Sequence, residues 1–384
     1  MYPIPDYAVE MLNIIRNAGF EAYAVGGCVR DMILGIKPTD IDITTSAPPD
    51  RIRELFPSSV LTGGRFFTVT VFHAGGKAEI TPFRSEGGYS DSRRPDEVSF
   101  ASDLSEDLKR RDFTVNTICF DGERIIDLLG GKADIDARVI RCLGEPERRF
   151  DEDALRIMRA FRFSAELGLT IEPRTLKAAI SCSGKLRGIS VERIRDELIR
   201  IAVSDAPERI SPLLESGALS FLSLGPSPLL PKMKILNNDT QTRLSAFLEL
   251  CGRDAVGLMK LPARLKRVIS AVFDLLDSFP PANESGVKRA MSRFSAEVFL
   301  IAAELAKKLR GEPRDYSALC RRILENGEPY RISDLALNGT DLKNAGVPEI
   351  EIGSVLERLL DAVIESPGSN TRDKLSELMK KYIE

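Results

Sequence analysis

The chain has few of the side chains that most enzymes use for proton transfer. Its 384 residues include one histidine, His73, and no tryptophan. A single histidine leaves almost no room for histidine acid–base catalysis, a Ser-His-Asp triad or a metal site built from several histidines. The chemistry of this protein is therefore expected to rest on other side chains.

Cysteine pairs and long hydrophobic runs are also absent. The 6 cysteines stand far apart and form no C-x-x-C pair, which argues against a zinc site or a disulfide framework. No segment approaches the roughly 18 consecutive apolar residues of a membrane span. The N-terminal MYPIPDYAVE lacks the basic start and apolar stretch of a signal peptide. We therefore expect a reduced, cytoplasmic protein without membrane contact.

An excess of positive charge is missing as well. The formal net charge is −3, from 54 basic and 57 acidic residues. This balance argues weakly against a nucleic-acid partner, so any such partner must bind a local cationic patch. The length predicts two to four domains, at roughly 100–200 residues per domain.

Patterns of strands and helices alternate in the first part of the chain, and helical patterns dominate the rest. IDITT, FTVTVFH and AEITPF show β-branched alternation and are predicted strands, with a last strand and turn in RIIDLLGG. Residues 85–98 are predicted to form a polar loop too long for a simple hairpin. From Asp151 onward, EDALRIMRAFRFSAEL and ERIRDELIRIAV have helical spacing. The predicted fold is α+β, a small mixed sheet followed by an all-helical part.

Two aspartates stand out at the start of a predicted strand. Alternate residues of a strand share a face, so Asp40 and Asp42 point the same way while Ile41 points into the core. Two neighbouring carboxylates repel each other unless a cation lies between them, and hard oxygen ligands favour Mg²⁺. Glu79 on another predicted strand could join them. The alternatives are solvated aspartates at a strand end and an ordinary exposed glutamate.

A glycine pair lies just upstream, where a predicted strand gives way to a helix. Gly26 and Gly27 would let backbone N–H groups approach a phosphate, and Arg30 could reach the same anion one turn later. A Gly-Gly turn alone is weak evidence. The pattern is neither GxxxxGK[ST] nor GxGxxG, so the P-loop and Rossmann folds are disfavoured.

Several further motifs follow in a fixed order. They are Arg110–Asn116 (RRDFTVN), Asp127–Gly131 (DLLGG), Glu152–Arg156 (EDALR), SVERIRDEL, and near the end ISDLALNGTDLKNAGV. With the Gly-Gly turn and the Asp-x-Asp pair, this series resembles the class II tRNA nucleotidyltransferases, the CCA-adding enzymes that share a head domain with bacterial poly(A) polymerases. Asp153 and Arg156 lie three residues apart on the predicted helix and should face the same way. Arg159 and Arg162 continue that row.

The resemblance implies a division into four parts. A catalytic nucleotidyltransferase head of the DNA polymerase β type would span residues 1–140, and a helical neck that selects the nucleotide would span residues 141–205. A helical body would follow over residues 206–330. A helical tail over residues 331–384 would bind tRNA.

The resemblance also implies an activity: addition of C, C and A to the 3′ end of tRNA, using CTP and ATP without a nucleic-acid template. The expected partners are nucleoside triphosphates and the acceptor arm and 3′ end of tRNA, with no protein partner. Asp40 and Asp42 would hold two Mg²⁺ ions, with Glu79 as a third catalytic carboxylate. The residues expected at the nucleotide are Gly26, Gly27, Arg30, Arg111, Asn116, Asp153, Arg156, Arg159 and Arg162. Among them, Asp153 and Arg156 would act as the protein template.

Other activities of the same family remain alternatives. The segment Tyr89…Arg93-Arg94-Pro95 resembles the flexible loop of full CCA-adding and A-adding enzymes, so CC addition ranks lower. Residues 63–69 are closer to the CCA-adding pattern than to that of poly(A) polymerases, although Phe67 occupies a position where glycine is usual. Because a bulky residue does not adopt positive φ cheaply, either the turn differs or the glycine is dispensable.

Two readings lie outside this group of polymerising enzymes. A tRNA-binding protein with a decayed active site would have no need for paired metal carboxylates. A small-molecule nucleotidyltransferase would explain the Gly-Gly and Asp-x-Asp elements, but would leave EDALR and the long helical part without a purpose.

Overall fold

The computed structural model describes residues 3–62, 67–87, 97–101 and 103–383. The chain divides into two compact units, Met1–Phe221 and Leu222–Glu384. The first unit mixes strands and helices, whereas the described part of the second is helical. The α+β fold predicted from the sequence is thus confirmed, and the finer division into four parts remains a prediction.

A mixed sheet of seven strands forms the centre of the first unit within the described residues. Its order is β3-β4-β5-β2-β1-β8-β9, and only β2 and β5 pair in parallel. Two short ribbons, β6-β7 and β10-β11, lie apart from it. The strands are β1 (Ala22–Val25), β2 (Asp42–Thr45), β3 (Ser59–Leu61), β4 (Val69–His73), β5 (Gly76–Pro82), β6 (Arg84–Gly87), β7 (Glu97–Phe100), β8 (Cys119–Phe120), β9 (Ile125–Ile126), β10 (Val139–Ile140) and β11 (Thr170–Ile171).

Helices surround this sheet and extend the first unit toward its end. Apolar residues at helical spacing bury one face of each longer helix, as Met11 and Ile15 do in α1. Helices α7 and α9 pack against each other. The helices of this unit are α1 (Asp6–Asn17), α2 (Gly27–Leu34), α3 (Pro49–Leu55), α4 (Leu104–Lys109), α5 (Gly131–Asp136), α6 (Pro146–Glu152), α7 (Leu155–Leu167), α8 (Pro173–Ser181), α9 (Val191–Val203) and α10 (Ser211–Glu215).

Three secondary-structure predictions need correction. The ends of the predicted loop 85–98 belong to the ribbon β6-β7, while residues 88–96 lie outside the described part of the chain. The strand in RIIDLLGG is not the last, because β10 and β11 follow. The helix predicted in EDALRIMRAFRFSAEL begins later, because the chain is extended at Asp153, where φ is −148° and ψ is 104°.

The second unit is built from amphipathic helices. In α13, buried residues such as Ile269 and Val272 recur at helical spacing, and in α18 Leu359 and Val363 do the same beside Leu375 of α19. No described helix of the chain is long and apolar enough to cross a bilayer. The helices are α11 (Thr240–Cys251), α12 (Ala255–Leu258), α13 (Ala263–Asp277), α14 (Glu284–Phe294), α15 (Ala296–Leu309), α16 (Tyr316–Glu325), α17 (Gly339–Asn344), α18 (Ile352–Glu365) and α19 (Arg372–Ile383).

Candidate active site

A cleft of about 530 Å³ in the first unit contains nearly all of the predicted site residues. Of the twelve predicted site residues, only Glu79 does not line it. The lining is strongly polar, and arginines outnumber acids. The residues that line it are Gly26, Gly27, Cys28, Arg30, Asp31, Thr39, Asp40, Asp42, Arg84, Arg110, Arg111, Asp112, Asn116, Asp153, Leu155, Arg156, Arg159, Arg162, Phe163, Arg193 and Arg200.

The turn after β1 forms one wall of the cleft. Gly26 has a φ of 79°, a backbone angle that residues other than glycine rarely adopt, and α2 begins at the next residue. A Cβ atom on Gly26 would lie 3.0 Å from Nη1 of Arg111 and 3.9 Å from Oδ2 of Asp42. Glycine therefore serves two purposes here: it permits the backbone angle and it leaves room for a guanidinium and a carboxylate.

The two aspartates lie at and just before the start of β2, a central strand of the sheet. Asp42 opens β2, Ile41 is buried with 2% exposure, and Asp40 is exposed just before the strand. Burial raises the pKa of Asp42; Arg111 opposes this rise, while Glu79 and Asp40 add to it. A carboxylate that is buried beside like charges is a good ligand for a cation.

Glu79 is adjacent to this pair in the sheet but lies outside the cleft. It is the register partner of Asp42 across the parallel strands β2 and β5, and its side chain is exposed. The described residues contain no group of three or more acidic, cysteine or histidine side chains poised to hold a metal ion. Asp40 and Asp42 line the cleft, and their role as metal ligands, like the role of Glu79, remains a prediction.

A chain of hydrogen bonds links the two sides of the cleft. Arg30 of α2 donates from Nη1 to Oδ1 of Asn116 at 2.7 Å, and Asn116 donates to Oδ1 of Asp112 at 2.9 Å. Arg159 of α7 donates to Oδ2 of Asp112 from Nε at 2.8 Å and lies 2.7 Å away through Nη2. Burial alone would raise the pKa of Asp112, but Arg159 and Asn116 hold it well below its ordinary value.

A second buried carboxylate holds the Arg110-Arg111 pair. Asp107 receives hydrogen bonds from Nε and Nη2 of Arg110 at 3.0 and 2.8 Å, and lies 3.5 Å from Nη2 of Arg111. Burial alone would raise the pKa of Asp107, but the two arginines lower it. Nε of Arg111 is buried without a hydrogen-bond partner among the described residues. Arg111 therefore keeps a donor available beside Gly26.

The prediction that Asp153 and Arg156 lie on the same helix is wrong, because Asp153 is in extended backbone between α6 and α7. Asp153 precedes α7 and accepts hydrogen bonds from the backbone N–H of Leu155 at 3.0 Å and from Nη2 of Arg193 at 2.9 Å. Arg156 instead donates to Oε2 of Glu152 at 2.7 Å. Both side chains still line the same cleft, because the extended residue Asp153 brings its carboxylate to the start of α7.

The row of arginines on α7 is matched by acids. Arg159 pairs with Asp112, and Arg162 lies 2.5 Å from Glu197 of α9 and 3.2 Å from Glu166. Burial lowers the pKa of Arg162 to about 10, which leaves it charged at neutral pH. Arg200 of α9 in turn pairs with Glu166 at 2.7 Å.

Several residues of the cleft were not predicted. Arg193, Glu197 and Arg200 recur at i, i+4 and i+7 on α9, a spacing that places them on one helix face. That face meets α7; Arg193 pairs with Asp153 and Glu197 pairs with Arg162. The spacing was visible in the sequence, but the partners belong to distant segments. Asp112 was quoted within its motif without a role, and Phe163 was read only as an apolar helix residue.

Two predictions fall on positions where the described chain ends or begins. The segment Tyr89…Arg93-Arg94-Pro95 and residues 63–66 lie outside the described residues. Phe67 is described, and it adopts a φ of 58°. The turn therefore keeps the left-handed geometry that glycine would favour, and the Phe67 ring lies 5.2 Å from that of Phe100.

The fold and the cleft define a nucleotidyltransferase, since paired carboxylates and a Gly-Gly turn face an arginine-rich wall. The sequence matches the family described as the Poly A polymerase head domain over residues 22–141. It also matches the family described as the probable RNA and SrmB-binding site of polymerase A over residues 168–226.

Relatives of known name match over almost the whole chain. The CCA-adding enzyme of Lactobacillus helveticus is 36% identical, with 99% of this chain and 98% of the relative covered. The crystal structure of the Bacillus stearothermophilus CCA-adding enzyme in complex with CTP is 30% identical, with a TM-score of 0.85 over 100% of this chain and 98% of that one. A Thermotoga maritima CCA-adding enzyme complexed with tRNA shares the fold, with a TM-score of 0.67, 23% identity and coverage of 97% and 94%.

The chain belongs to the family of CCA-adding enzymes. This membership confirms the resemblance to class II tRNA nucleotidyltransferases and the expected fold, a nucleotidyltransferase head followed by a helical part.

Proposed function

We propose that this protein adds C, C and A to the 3′ end of tRNA, taking CTP and ATP as substrates and releasing pyrophosphate. The observation that carries the proposal is the single cleft that unites Asp40 and Asp42 with Asp153 and Arg156. These side chains suit both requirements of the reaction, transfer of a nucleotide and selection of its base. Full-length relatives named CCA-adding enzymes support the same activity.

The choice of base is assigned to Asp153 and Arg156. Cytosine and adenine both present an exocyclic amine beside a ring nitrogen that accepts a hydrogen bond, whereas uracil and guanine present the reverse pattern. Each Asp153 oxygen accepts a hydrogen bond, Oδ1 from the Leu155 N–H and Oδ2 from Arg193, which leaves a lone pair for an amine. A carboxylate that accepts and a guanidinium that donates therefore suit C and A and reject U and G.

We assign binding of the triphosphate to the wall of the cleft that the glycine turn forms. The glycine turn and the start of α2 offer backbone N–H groups, and Arg30 and Arg111 lie beside them. Arg30 is 7% exposed and held by Asp31 and Asn116, so its guanidinium is fixed before the nucleotide arrives. Such fixed positive charge orients the triphosphate and offsets charge on the departing pyrophosphate.

The donor set at Asp40 and Asp42 fits Mg²⁺, because it is all oxygen and because Asp42 is half-buried beside like charges. When bound, Mg²⁺ would lower the pKa of the primer hydroxyl and neutralise phosphate charge. In the reaction, the 3′ oxygen of tRNA bonds to the α-phosphorus, the bond to the β-phosphate oxygen breaks, and the hydroxyl proton is released. Asp40 and Asp42 would hold the metal ions, while Arg30 and Arg111 would align the leaving group.

The product length of tRNA extension tests the function. Purified protein is incubated with transcripts that end before C74, C75 and A76, with CTP, ATP, both or neither. Full CCA addition predicts two added residues with CTP alone on the shortest transcript and three with both nucleotides. Addition of A only, of CC only or of a long A tail would assign one of the family's other activities. Absence of any product would favour a tRNA-binding protein without activity.

The metal assignment has its own test. Asp42→Asn and Asp40→Asn keep the shape of the side chain but remove its charge, and each should lower incorporation by at least about 100-fold. Asp50→Asn, at an exposed position on α3, is the matched control and should leave the rate unchanged. Rates in the Asp42→Asn variant that equal those of the parent protein would show that the metal ions bind elsewhere.

The remaining assignments are extensions of the same proposal. We place the protein in the cytoplasm, where tRNA is processed. We assign nucleotide transfer to residues 1–140, nucleotide selection to residues 141–205, and tRNA binding to the helical residues that follow, with the tail at residues 331–384.

A further inference from the structure

One aromatic ring lies among three arginines of the cleft. The guanidinium carbons of Arg162, Arg30 and Arg159 are 4.1, 4.9 and 5.2 Å from the ring centroid of Phe163. The Phe163 ring is 4% exposed and packs edge-on against Phe113, with centroids 5.8 Å apart and an interplanar angle of 88°. Its position is therefore fixed by the core of the first unit.

The three arginines would repel one another without compensation. Each has a carboxylate partner: Arg30 pairs with Asp31, Arg159 with Asp112, and Arg162 with Glu197. Hydrogen bonds through Asn116 and Asp112 link Arg30 to Arg159, and Glu197 interacts with both Arg159 and Arg162. The ring of Phe163 is the one described group that contacts all three, and its quadrupole attracts cations.

We propose that Phe163 is a positioning residue that gathers Arg30, Arg159 and Arg162 into one anion-binding wall for the incoming nucleotide. The proposal rests on the proposed function, because it takes the nucleotide as the ligand of this cleft. Arg30 comes from α2 and the other two arginines from α7. The ring thus ties the part of the site that holds phosphate to the helix that selects the base.

A positioning role through the ring's electrostatics differs from a packing role in one measurable way. Fluorination withdraws electron density from the ring face and weakens attraction to cations, while the ring volume changes little. Site-specific incorporation of mono-, di- and trifluorophenylalanine at position 163 should raise KM for CTP and ATP stepwise, to about 10-fold in total. The kcat for extension and KM for tRNA should change much less.

The control is Phe161, which is fully buried on the same helix and for which the described residues supply no guanidinium contact. The same fluorinated series at position 161 should leave KM unchanged. An unchanged KM along the fluorinated series at position 163, or equal rises in KM at both positions, would overturn the proposal.

A substitution gives a second readout. Phe163→Leu should fold, as judged by circular dichroism and thermal denaturation, yet raise KM for both nucleotides by about 10-fold or more. Phe163→Trp should restore part of the loss, since its ring attracts cations more strongly. A Leu variant with the parent's KM would contradict the proposal.

Failure of the proposed function can be told apart from failure of this inference. If the parent protein extends no tRNA, the proposed function is wrong. The effect of the fluorinated series is then measured as the equilibrium affinity for CTP. If the parent extends tRNA but the series at position 163 has no effect, only the role of Phe163 fails.

Discussion

Arg193 of α9 donates a hydrogen bond from Nη2 to Oδ2 of Asp153 at 2.9 Å. The contact joins residues 40 positions apart and fixes the carboxylate to which base selection is assigned. Nη1 of Arg193 is buried without a hydrogen-bond partner among the described residues, so the same side chain retains a donor within the cleft. Arg193 is therefore expected to influence which nucleotide binds.

Replacing Arg193 tests this expectation. Arg193→Gln removes a charged hydrogen bond to Asp153, so KM for CTP and ATP should rise about 10-fold, the effect of losing about 1.5 kcal/mol. Misincorporation of UTP should increase because Asp153 is less well oriented. Steady-state kinetics with each nucleotide measures both effects. Arg174→Gln, which removes a pair that is 74% and 71% exposed with Glu145, should change neither value.

Alanine substitutions at two glycines with nearly the same backbone angle distinguish the effect of backbone strain from that of steric crowding. Gly26 and Gly35 have φ values of 79° and 76°, so alanine at either position should destabilise the fold by about 1–2 kcal/mol. Only at Gly26 would the new Cβ meet a neighbour, Arg111, at 3.0 Å; nothing lies within 4 Å at Gly35. Gly26→Ala should therefore also raise nucleotide KM, whereas Gly35→Ala should not. Equal KM values for the two variants would contradict the close approach of Arg111.

The buried Asp112 predicts a defined dependence of stability on pH. Its folded pKa lies well below its ordinary value, so its ionic contribution is fully present above the unfolded pKa of about 3.9 and is lost as pH falls toward the folded value. Asp112→Asn should lower the free energy of unfolding by about 2–3 kcal/mol at neutral pH. The difference from the parent should be constant from about pH 8 to 5 and shrink below about pH 4.

Urea denaturation followed by circular dichroism measures this difference, since the chain has no tryptophan. Asp136→Asn provides the control, because Asp136 is 59% exposed in its pair with Lys132. A difference between parent and Asp112→Asn that persists unchanged to pH 3 would contradict the ionic role of Asp112.

A lysine in the second unit predicts a local source of stability. Lys288 is fully buried, and its Nζ lies 2.7 Å from both Glu284 and Glu328. Lys288→Met should lower the free energy of unfolding by about 1–3 kcal/mol, because it leaves the half-buried Glu328 without its cation, while Glu284 keeps its pair with Arg322. Lys307→Met removes an exposed pair with Asp315 and should lower it by less than about 1 kcal/mol. Equal losses in the two variants would show that burial of Lys288 adds nothing.

The same pair should weaken in acid. The hydrogen bond from Lys288 lowers the pKa of Glu328 to about 2. The folded pKa is depressed, so this contribution is full above the unfolded value of about 4.3 and is lost as pH falls toward 2. The stability difference between the parent and Lys288→Met should therefore narrow below about pH 4.

Local signals in the sequence predicted most of the first half of the fold. The strand over Asp42–Thr45, the helix that follows the Gly-Gly turn and the buried Ile41 between two aspartates all follow from period and turn chemistry. Phe67 was the informative exception, since it takes the positive φ that its size disfavours.

The site depended on contacts that no local pattern contains. The extended backbone at Asp153 interrupts a sequence with helical spacing, because Asp153 meets Arg193 and Arg156 meets Glu152. The acid that pairs with Arg159, Asp112, lies 47 residues away in the sequence, so local spacing does not reveal the pair. Resemblance to a family located the motifs, whereas the ion pairs between them required the folded structure.

The central claim is that the protein itself selects the base through Asp153 and Arg156. The most direct measurement is equilibrium binding of CTP, ATP, GTP and UTP to the parent protein and to Asp153→Ala, without tRNA. The account predicts that the parent binds CTP and ATP at least about 10-fold more tightly than GTP and UTP, and that Asp153→Ala loses this preference. Equal binding of all four nucleotides by the parent, or an unchanged preference in Asp153→Ala, would contradict it.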